Sequence, residues 1–199
     1  MNKNIIYKEL SSGPVEICRE LCNQLMAYQA EKAVLWKDIL SSMNFDNRLK
    51  PVFETSEEKF LLAAFDGETP VGYVFAADEV VTEESRTSRP LWARPLPEEV
   101  EWLFPDWLPV PIKIGELNNL YVLPEYHGLG IGNELTGRAM DWLRKRADAK
   151  YLFVYVSNGN NAGPFYEHYG FRHSHTVSGG IIEAYSQKNS PPFRLKTDL

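Results

Sequence analysis

The chain has 199 residues, 44% of them hydrophobic and 24% charged, enough apolar material for one domain with a sizeable core, which excludes disordered and fibrous classes. Lys and Arg number 21 against 27 Asp and Glu, a net charge of -6, the wrong sign for a protein whose main task is to hold a phosphate backbone, so no nucleic-acid partner is expected. Cys18 and Cys22, four apart at helical spacing, form no disulfide framework and read as core residues. The N-terminal MNKNIIYKELSSG lacks the apolar run of a signal peptide, and no stretch reaches the roughly 18 apolar residues that span a bilayer, so a cytoplasmic location without membrane contact is expected.

Residues Ile5 to Leu10 read as a short strand, followed by turn and helix-start chemistry at Ser11, Ser12, Gly13 and Pro14. Ile17, Leu21 and Leu25 recur at i+4 and mark the buried face of a first helix to about Tyr28, with a second helical stretch over Glu31 to Leu40. FLLAAFD (Phe60 to Asp66), GETP and VGYVFAADEV (Val71 to Val80) predict a β-hairpin. From 81 to 112 runs an insertion that holds three of the five Trp (Trp92, Trp102, Trp107) and six of the thirteen Pro between positions 90 and 111. The prolines of this Trp/Pro segment, 90 to 111, oppose regular helix and central strand. Ile114 to Leu123 reads as a strand, with Glu116, Asn118, Leu120 and Val122 on one face by alternation. NELTGRAMDWLRKRADAK carries apolar residues at helical spacing and ends in the basic run Arg144, Lys145, Arg146, a dipole-complementing terminus that also suits contact with a ligand phosphate. YLFVYVS (Tyr151 to Ser157) is a strand buried on both faces, so strand, crossover helix and strand make a parallel pair. A short helix with Pro164 near its first turn stops at Gly170, and Phe171 to Gln187 hold two strand-like segments split by Gly179 and Gly180. Residues 1-187 are expected to form a single domain, with 188-199 a loosely held tail.

The most informative stretch is His127-Gly-Leu-Gly-Ile-Gly132, between a strand and an amphipathic helix. Glycines at 128, 130 and 132 let successive backbone N–H groups turn toward an anion at the positive end of the helix, so a phosphate-bearing ligand is expected. A Walker loop would need Lys-Ser/Thr after Gly130, where Ile131 and Gly132 stand, and the dinucleotide fingerprint would need Gly at Asn133.

LYVLPEYHGLGIG (Leu120 to Gly132) resembles the first signature of the GCN5-related N-acetyltransferases, with His127 in place of the usual Arg or Gln. The second signature, Ala-x-x-x-Tyr-x-x-x-Gly-Phe, is similar to Ala162, Tyr166, Gly170 and Phe171. The resemblance implies an α/β (α+β) fold, a mixed and mostly antiparallel central sheet flanked by helices, with a V-shaped opening between its fourth and fifth strands. It implies acetyl-CoA as co-substrate, the backbone of Leu120, Tyr121 and Val122 pairing with the pantetheine arm, and the loop His127, Gly128, Leu129, Gly130, Ile131, Gly132 and Asn133 holding the pyrophosphate. The family often carries an Asn where this chain has Gly159, so the flanking Asn158 and Asn160 are the candidates for that contact.

By the same resemblance Tyr166 stands at the general-acid position, and a phenol suits protonation of a departing thiolate. The alternative is a Tyr that merely packs its helix. Glu116 matches the position of a catalytic Glu in several members. A carboxylate in an apolar strand has the raised pKa a base needs, and its alternative is a solvated strand-end carboxylate. His168, His173 and His175 lack a Cys or acidic partner at ligand spacing, so no metal site is expected. The Trp92, Trp102 and Trp107 side chains, with Glu98, Glu99, Glu101 and Asp106, suit an aromatic and acidic wall for a cationic amine, or equally an arm packed on the domain or on a second subunit of a homodimer. The expected activity is acetyl transfer from acetyl-CoA to a primary amine of a small molecule or peptide in a ternary complex. A non-catalytic acyl-CoA sensing module and an NAD(P)-binding enzyme are the alternatives.

Overall fold

The computed structural model describes residues 4–89, 93–96, 103–146 and 148–189. The chain opens with strand β1 (Ile5–Glu9), then helices α1 (Arg19–Lys32), α2 (Lys37–Ser41) and α3 (Leu49–Thr55). The hairpin follows as β2 (Lys59–Asp66) and β3 (Thr69–Val81), joined by a tight turn in which Gly67 takes a φ of 62°. The second half holds α4 (Glu83–Thr87), β4 (Ile112–Val122), α5 (Ile131–Arg144), β5 (Tyr151–Ser157), α6 (Gly163–His168), β6 (Arg172–Val177) and β7 (Ile182–Lys188).

These strands form one sheet in the order β1-β2-β3-β4-β5-β7-β6. Every pair is antiparallel except β4 with β5. The mixed, mostly antiparallel sheet is the expected one, and it opposes the dinucleotide-binding alternative, whose sheet is parallel throughout its core. The amphipathic α5 covers one face, burying Ile131, Leu135, Ala139 and Met140 against Leu62, Val74, Leu117 and Val154. On the other face α1, α3 and their connections pack Leu21, Cys22, Leu25, Phe45 and Phe53 against Leu61, Phe65, Tyr73 and Phe75. Cys18 and Cys22 are buried free thiols of this second layer, and burial with the neighbouring Cys22 pushes the Cys18 thiol up to about 12.

Three expectations need correction. The helix over 31–40 is broken: α1 runs to Lys32, and the chain then turns through Val34, Leu35 and Trp36, the last at a left-handed φ of 57°. The cause is tertiary, because Asn158 Oδ1 accepts the amides of both Val34 and Leu35 at 2.7 and 2.8 Å. A short helix not expected from the sequence, α4, opens the insertion ahead of the prolines, with Thr82 and Ser85 capping it reciprocally. The tail begins later than 188: Lys188 still pairs with Tyr151, and Asn189 Nδ2 donates to the carbonyls of Arg146 and Ala149 at the end of α5. Arg146 is no free phosphate contact, because it holds Asp78 at 2.9 Å and Glu58 at 2.6 Å. Among the described residues no helix is long and apolar enough to cross a membrane.

Candidate active site

The decisive local feature is one extra residue in β4. Leu117 pairs with Ala76 and Asn119 with Phe75, so Asn118 has no partner on β3 and forms a bulge. A bulge bends its strand and increases the local twist. The parallel ladder with β5 ends at the same point: its last pair is Leu117 with Val154, while β5 continues on its other edge as far as Ser157 against Ile182. Residues 118–122 of β4 therefore splay from β5, and the backbone of Leu120, Tyr121 and Val122 lies along a gap instead of a ladder. The bulge also reverses the alternation. Glu116 and Asn118 face α3, but Leu120 and Val122 pack on the α5 side while Tyr121 joins the α1 side, which overturns the expected single face of all four residues.

At the end of β4 the loop turns through Gly128 and Gly130, at φ values of 76° and 77°, into α5. A Cβ at either would meet no protein atom within 4 Å, so these glycines serve the left-handed backbone and leave open space in front of it. The first helix amide with a backbone acceptor is Glu134, on Gly130 O at 3.0 Å. The amides from Gly128 through Asn133, those of Leu129, Ile131 and Gly132 included, find no backbone acceptor among the described residues. Six N–H groups at the positive end of a 14-residue helix make a fitting cradle for a pyrophosphate. His127 stands outside this cradle: its Nε2–H donates to Val122 O at 2.9 Å and clamps the loop to the strand. Asn133 O accepts from the Tyr169 hydroxyl at 3.2 Å, which ties α5 to the segment after α6.

Asn158 is occupied elsewhere, since its amide also donates to Leu35 O and Ile181 O at 2.9 and 3.1 Å. Asn160, half-buried, bonds through its backbone to Ser157 O. Gly159 has a structural reason: its φ is 74°, and a Cβ there would lie 2.0 Å from Lys32 O. No side chain fits where the end of α1 crosses it.

Glu116 is 8% exposed and opens onto a cleft of about 950 Å3 between α3 and the insertion. Its carboxyl pKa is raised to about 7, by burial first and by the Glu79 charge second, with Arg48 pulling the other way. Asn118 Nδ2 donates to Glu116 Oε1 at 3.0 Å, and Arg48 Nη1 donates to Asn118 Oδ1 at 3.2 Å. Glu79 is likewise pushed up by burial. Arg48, Asn118 and Glu79 were not singled out from the sequence. The Asn-Asn pair in an apolar strand is a local clue to Asn118 alone.

Tyr166, 8% exposed, lies on the α5 side of the sheet, packed edge-on against Phe165 and Phe171 at 5.3 and 6.3 Å. Burial alone raises its hydroxyl well above the usual phenol range. Glu116 and Tyr166 thus approach the splayed strands from opposite faces.

Trp92, Trp102, Glu98, Glu99 and Glu101 lie outside the described residues. Trp107 is outside the cleft lining: it sits edge-on to Tyr151 at 5.2 Å and stacked with Phe153 at 6.3 Å. Beneath it Phe104 and Leu108 are buried with Val81 and Ile114, so this part of the insertion packs on the sheet. His175 Nε2 donates to Leu103 O at 2.9 Å and holds the insertion to β6, while His173 meets Glu183 at 2.7 Å. No metal-ligating cluster occurs among the described residues.

Comparisons with known proteins agree with this geometry. No curated protein matches the chain in sequence. Among solved structures, it is similar to the PaiA N-acetyltransferase of Thermoplasma acidophilum in complex with coenzyme A, with a TM-score of 0.59 and 19% identity over 93% of this chain and 99% of that one. A Pyrococcus horikoshii protein gives a TM-score of 0.58 at 17% identity over 93% and 98%. Arabidopsis thaliana NAA60 in complex with a bisubstrate analogue gives 0.52 at 15% over 92% and 95%. These likenesses establish the fold. The sequence profile of the Acetyltransferase (GNAT) family matches residues 22–171, three quarters of the chain, and the protein belongs to that family.

Proposed function

We propose that the protein is an N-acetyltransferase that moves an acetyl group from acetyl-CoA to a primary amine within a ternary complex, in a single domain. One observation carries the reading: the bulge at Asn118 opens β4 from β5 beside a loop of unpaired amides, with a buried carboxyl on one face of the opening and a buried phenol on the other.

The amides of Gly128 to Asn133 would hold the pyrophosphate, and the free edge of Leu120, Tyr121 and Val122 would pair with the pantetheine amides as an added strand does. When bound, acetyl-CoA supplies an acetyl thioester. Glu116, half-ionised near pH 7, accepts a proton from the incoming ammonium through water, because only the neutral amine is a nucleophile. The amine nitrogen forms its bond to the thioester carbon as the carbon–sulfur bond breaks. Tyr166 gives its proton to the leaving sulfur and is reprotonated by the second proton the nitrogen sheds, so one proton is released per amide formed. Burial keeps Tyr166 protonated across the working pH range and makes a thiolate born beside it a stronger base than in water.

The test is thiol release from acetyl-CoA over a panel of primary amines. Acceptor-dependent release is expected. Binding of acetyl-CoA, seen as a rise in Tm, with no release for any amine overturns the reading in favour of a sensing module.

A further inference from the structure

The two strands that part at the bulge each carry a buried oxygen that the protein leaves unsatisfied. Asn119, 4% exposed, follows the bulge on β4, and Ser157, 5% exposed, ends β5. Asn119 Oδ1 and Ser157 Oγ are shut from solvent and have no hydrogen-bond partner among the described residues. The other buried side-chain atoms without a partner stand on β3, α4 and α5 or after β7, so these two are the pair on the parting strands.

Register puts both oxygens on the face that holds Glu116. Asn119 pairs with Phe75, Ser157 with Ile182 and Glu116 with Ala77, and these three partners all belong to the α1-side core. Residues directly opposite in a ladder share a face. Simple alternation would turn Asn119 to the α5 side with Leu117, and the extra residue in β4 is what brings it to the face of Glu116. Asn119 and Ser157 lie two and three positions beyond the last β4–β5 pair, Leu117 with Val154, so they flank the opening where no ladder joins the strands. The cleft over Glu116 runs up to them, lined by Asn118, by Tyr155 and by Ile182, the partner of Ser157.

A buried oxygen without a donor destabilises the fold unless a ligand completes it. An amide oxygen can only accept, and a serine hydroxyl can do so too. The thioester has no N–H to offer, and the pantetheine amides belong to the backbone edge of Leu120 to Val122 in the function proposed above. The amine is the reactant that brings donors to this face. A primary ammonium has three N–H groups, of which one proton leaves toward Glu116 through water and two stay.

We propose that Asn119 Oδ1 and Ser157 Oγ bind the acceptor nitrogen, each accepting one of the two N–H groups that a primary amine keeps. A secondary amine keeps one and leaves a buried oxygen unsatisfied, so the pair selects primary amines. The proposal deepens the acetyltransferase reading and rests on it.

The test uses the full chain and thiol release over a panel that includes benzylamine and glycinamide, each accepted amine being compared with its N-methyl derivative. Wild type should prefer the primary amine by at least about tenfold in kcat/KM. Ser157→Ala and Asn119→Leu should each lower kcat/KM for the primary amine by about tenfold or more. Each should leave Tm unchanged or raised, because neither oxygen has a protein partner to lose, and should change the calorimetric Kd for acetyl-CoA by less than about threefold. Asn119→Leu fills the space of the amide, so its preference for the primary amine should drop to about threefold or less for a reason other than room. Equal rates for primary and N-methyl amines in wild type overturn the proposal, as does a kcat/KM that either variant leaves unchanged. A Tm lowered by several degrees assigns the residue a packing role, and a Kd for acetyl-CoA raised in parallel assigns it to the cofactor; both results overturn the proposal and leave the acetyltransferase reading standing. Absence of release with every amine, while acetyl-CoA still raises Tm, overturns the acetyltransferase reading itself.

Discussion

Asn118 Nδ2 donates to Glu116 Oε1 at 3.0 Å, and the same Asn118 is the extra residue at which β4 leaves β5. The residue that opens the sheet is therefore the one that orients the carboxyl beside the opening. This contact links the strand geometry to the chemistry.

Activity should be lost as pH falls through about 7, because Glu116 acts as a base only when ionised and its pKa stands near that value. Glu116→Gln should lower kcat by about a hundredfold and abolish that acid limb. A limb that persists unchanged in the variant would assign it to another group. Arg48→Met removes a charge that favours the ionised form, so at saturating acceptor its limb should move to higher pH.

Glu116→Gln should also stabilise the fold at neutral and higher pH. A folded pKa raised from 4.5 to about 7 means that the native state favours the protonated carboxyl, so this stabilisation is full below pH 4.5 and is lost as pH rises through 7. Above that pH the ionised, buried carboxyl costs about 3 kcal/mol relative to its neutral form. Glu116→Gln keeps an oxygen for the Asn118 amide and carries no charge. Its Tm should match wild type near pH 4.5 and exceed it by several degrees at pH 8. Equal Tm values at both pH values would contradict a buried charge.

Tyr166→Phe removes only a hydroxyl and leaves the ring packed against Phe165 and Phe171. Turnover should fall by about tenfold to a hundredfold while the Kd for acetyl-CoA, measured by calorimetry, changes by less than about threefold. Parallel losses in both would make Tyr166 a packing residue.

Two glycines at left-handed φ should respond differently to Ala. At Gly159 the new Cβ would lie 2.0 Å from Lys32 O, and urea unfolding should show a loss of about 2 to 4 kcal/mol. At Gly128 the Cβ meets no protein atom, so the cost is the backbone conformation alone, about 1 kcal/mol. Gly128→Ala should instead weaken acetyl-CoA binding measurably, as the loop amides lose their geometry.

Much of this protein was legible in its sequence because the signals are local. Strand alternation, the Gly67 turn, the α5 amphipathic period and the His127 to Gly132 loop each depend on residues within a few positions of one another, and the two family signatures gave the topology that joins them. The tertiary structure alone decided where Asn158 bonds, since its partners Val34 and Leu35 lie over 120 residues away and break a helix that local propensity favours. It likewise decided that Gly159 must be Gly, that Trp107 packs on Tyr151 and Phe153, and that Arg48 and Glu79 flank Glu116. A carboxyl's pKa is set by whatever surrounds it in space, and for Glu116 those surroundings come from the segment before α3 and from β3, which no spacing along the chain encodes.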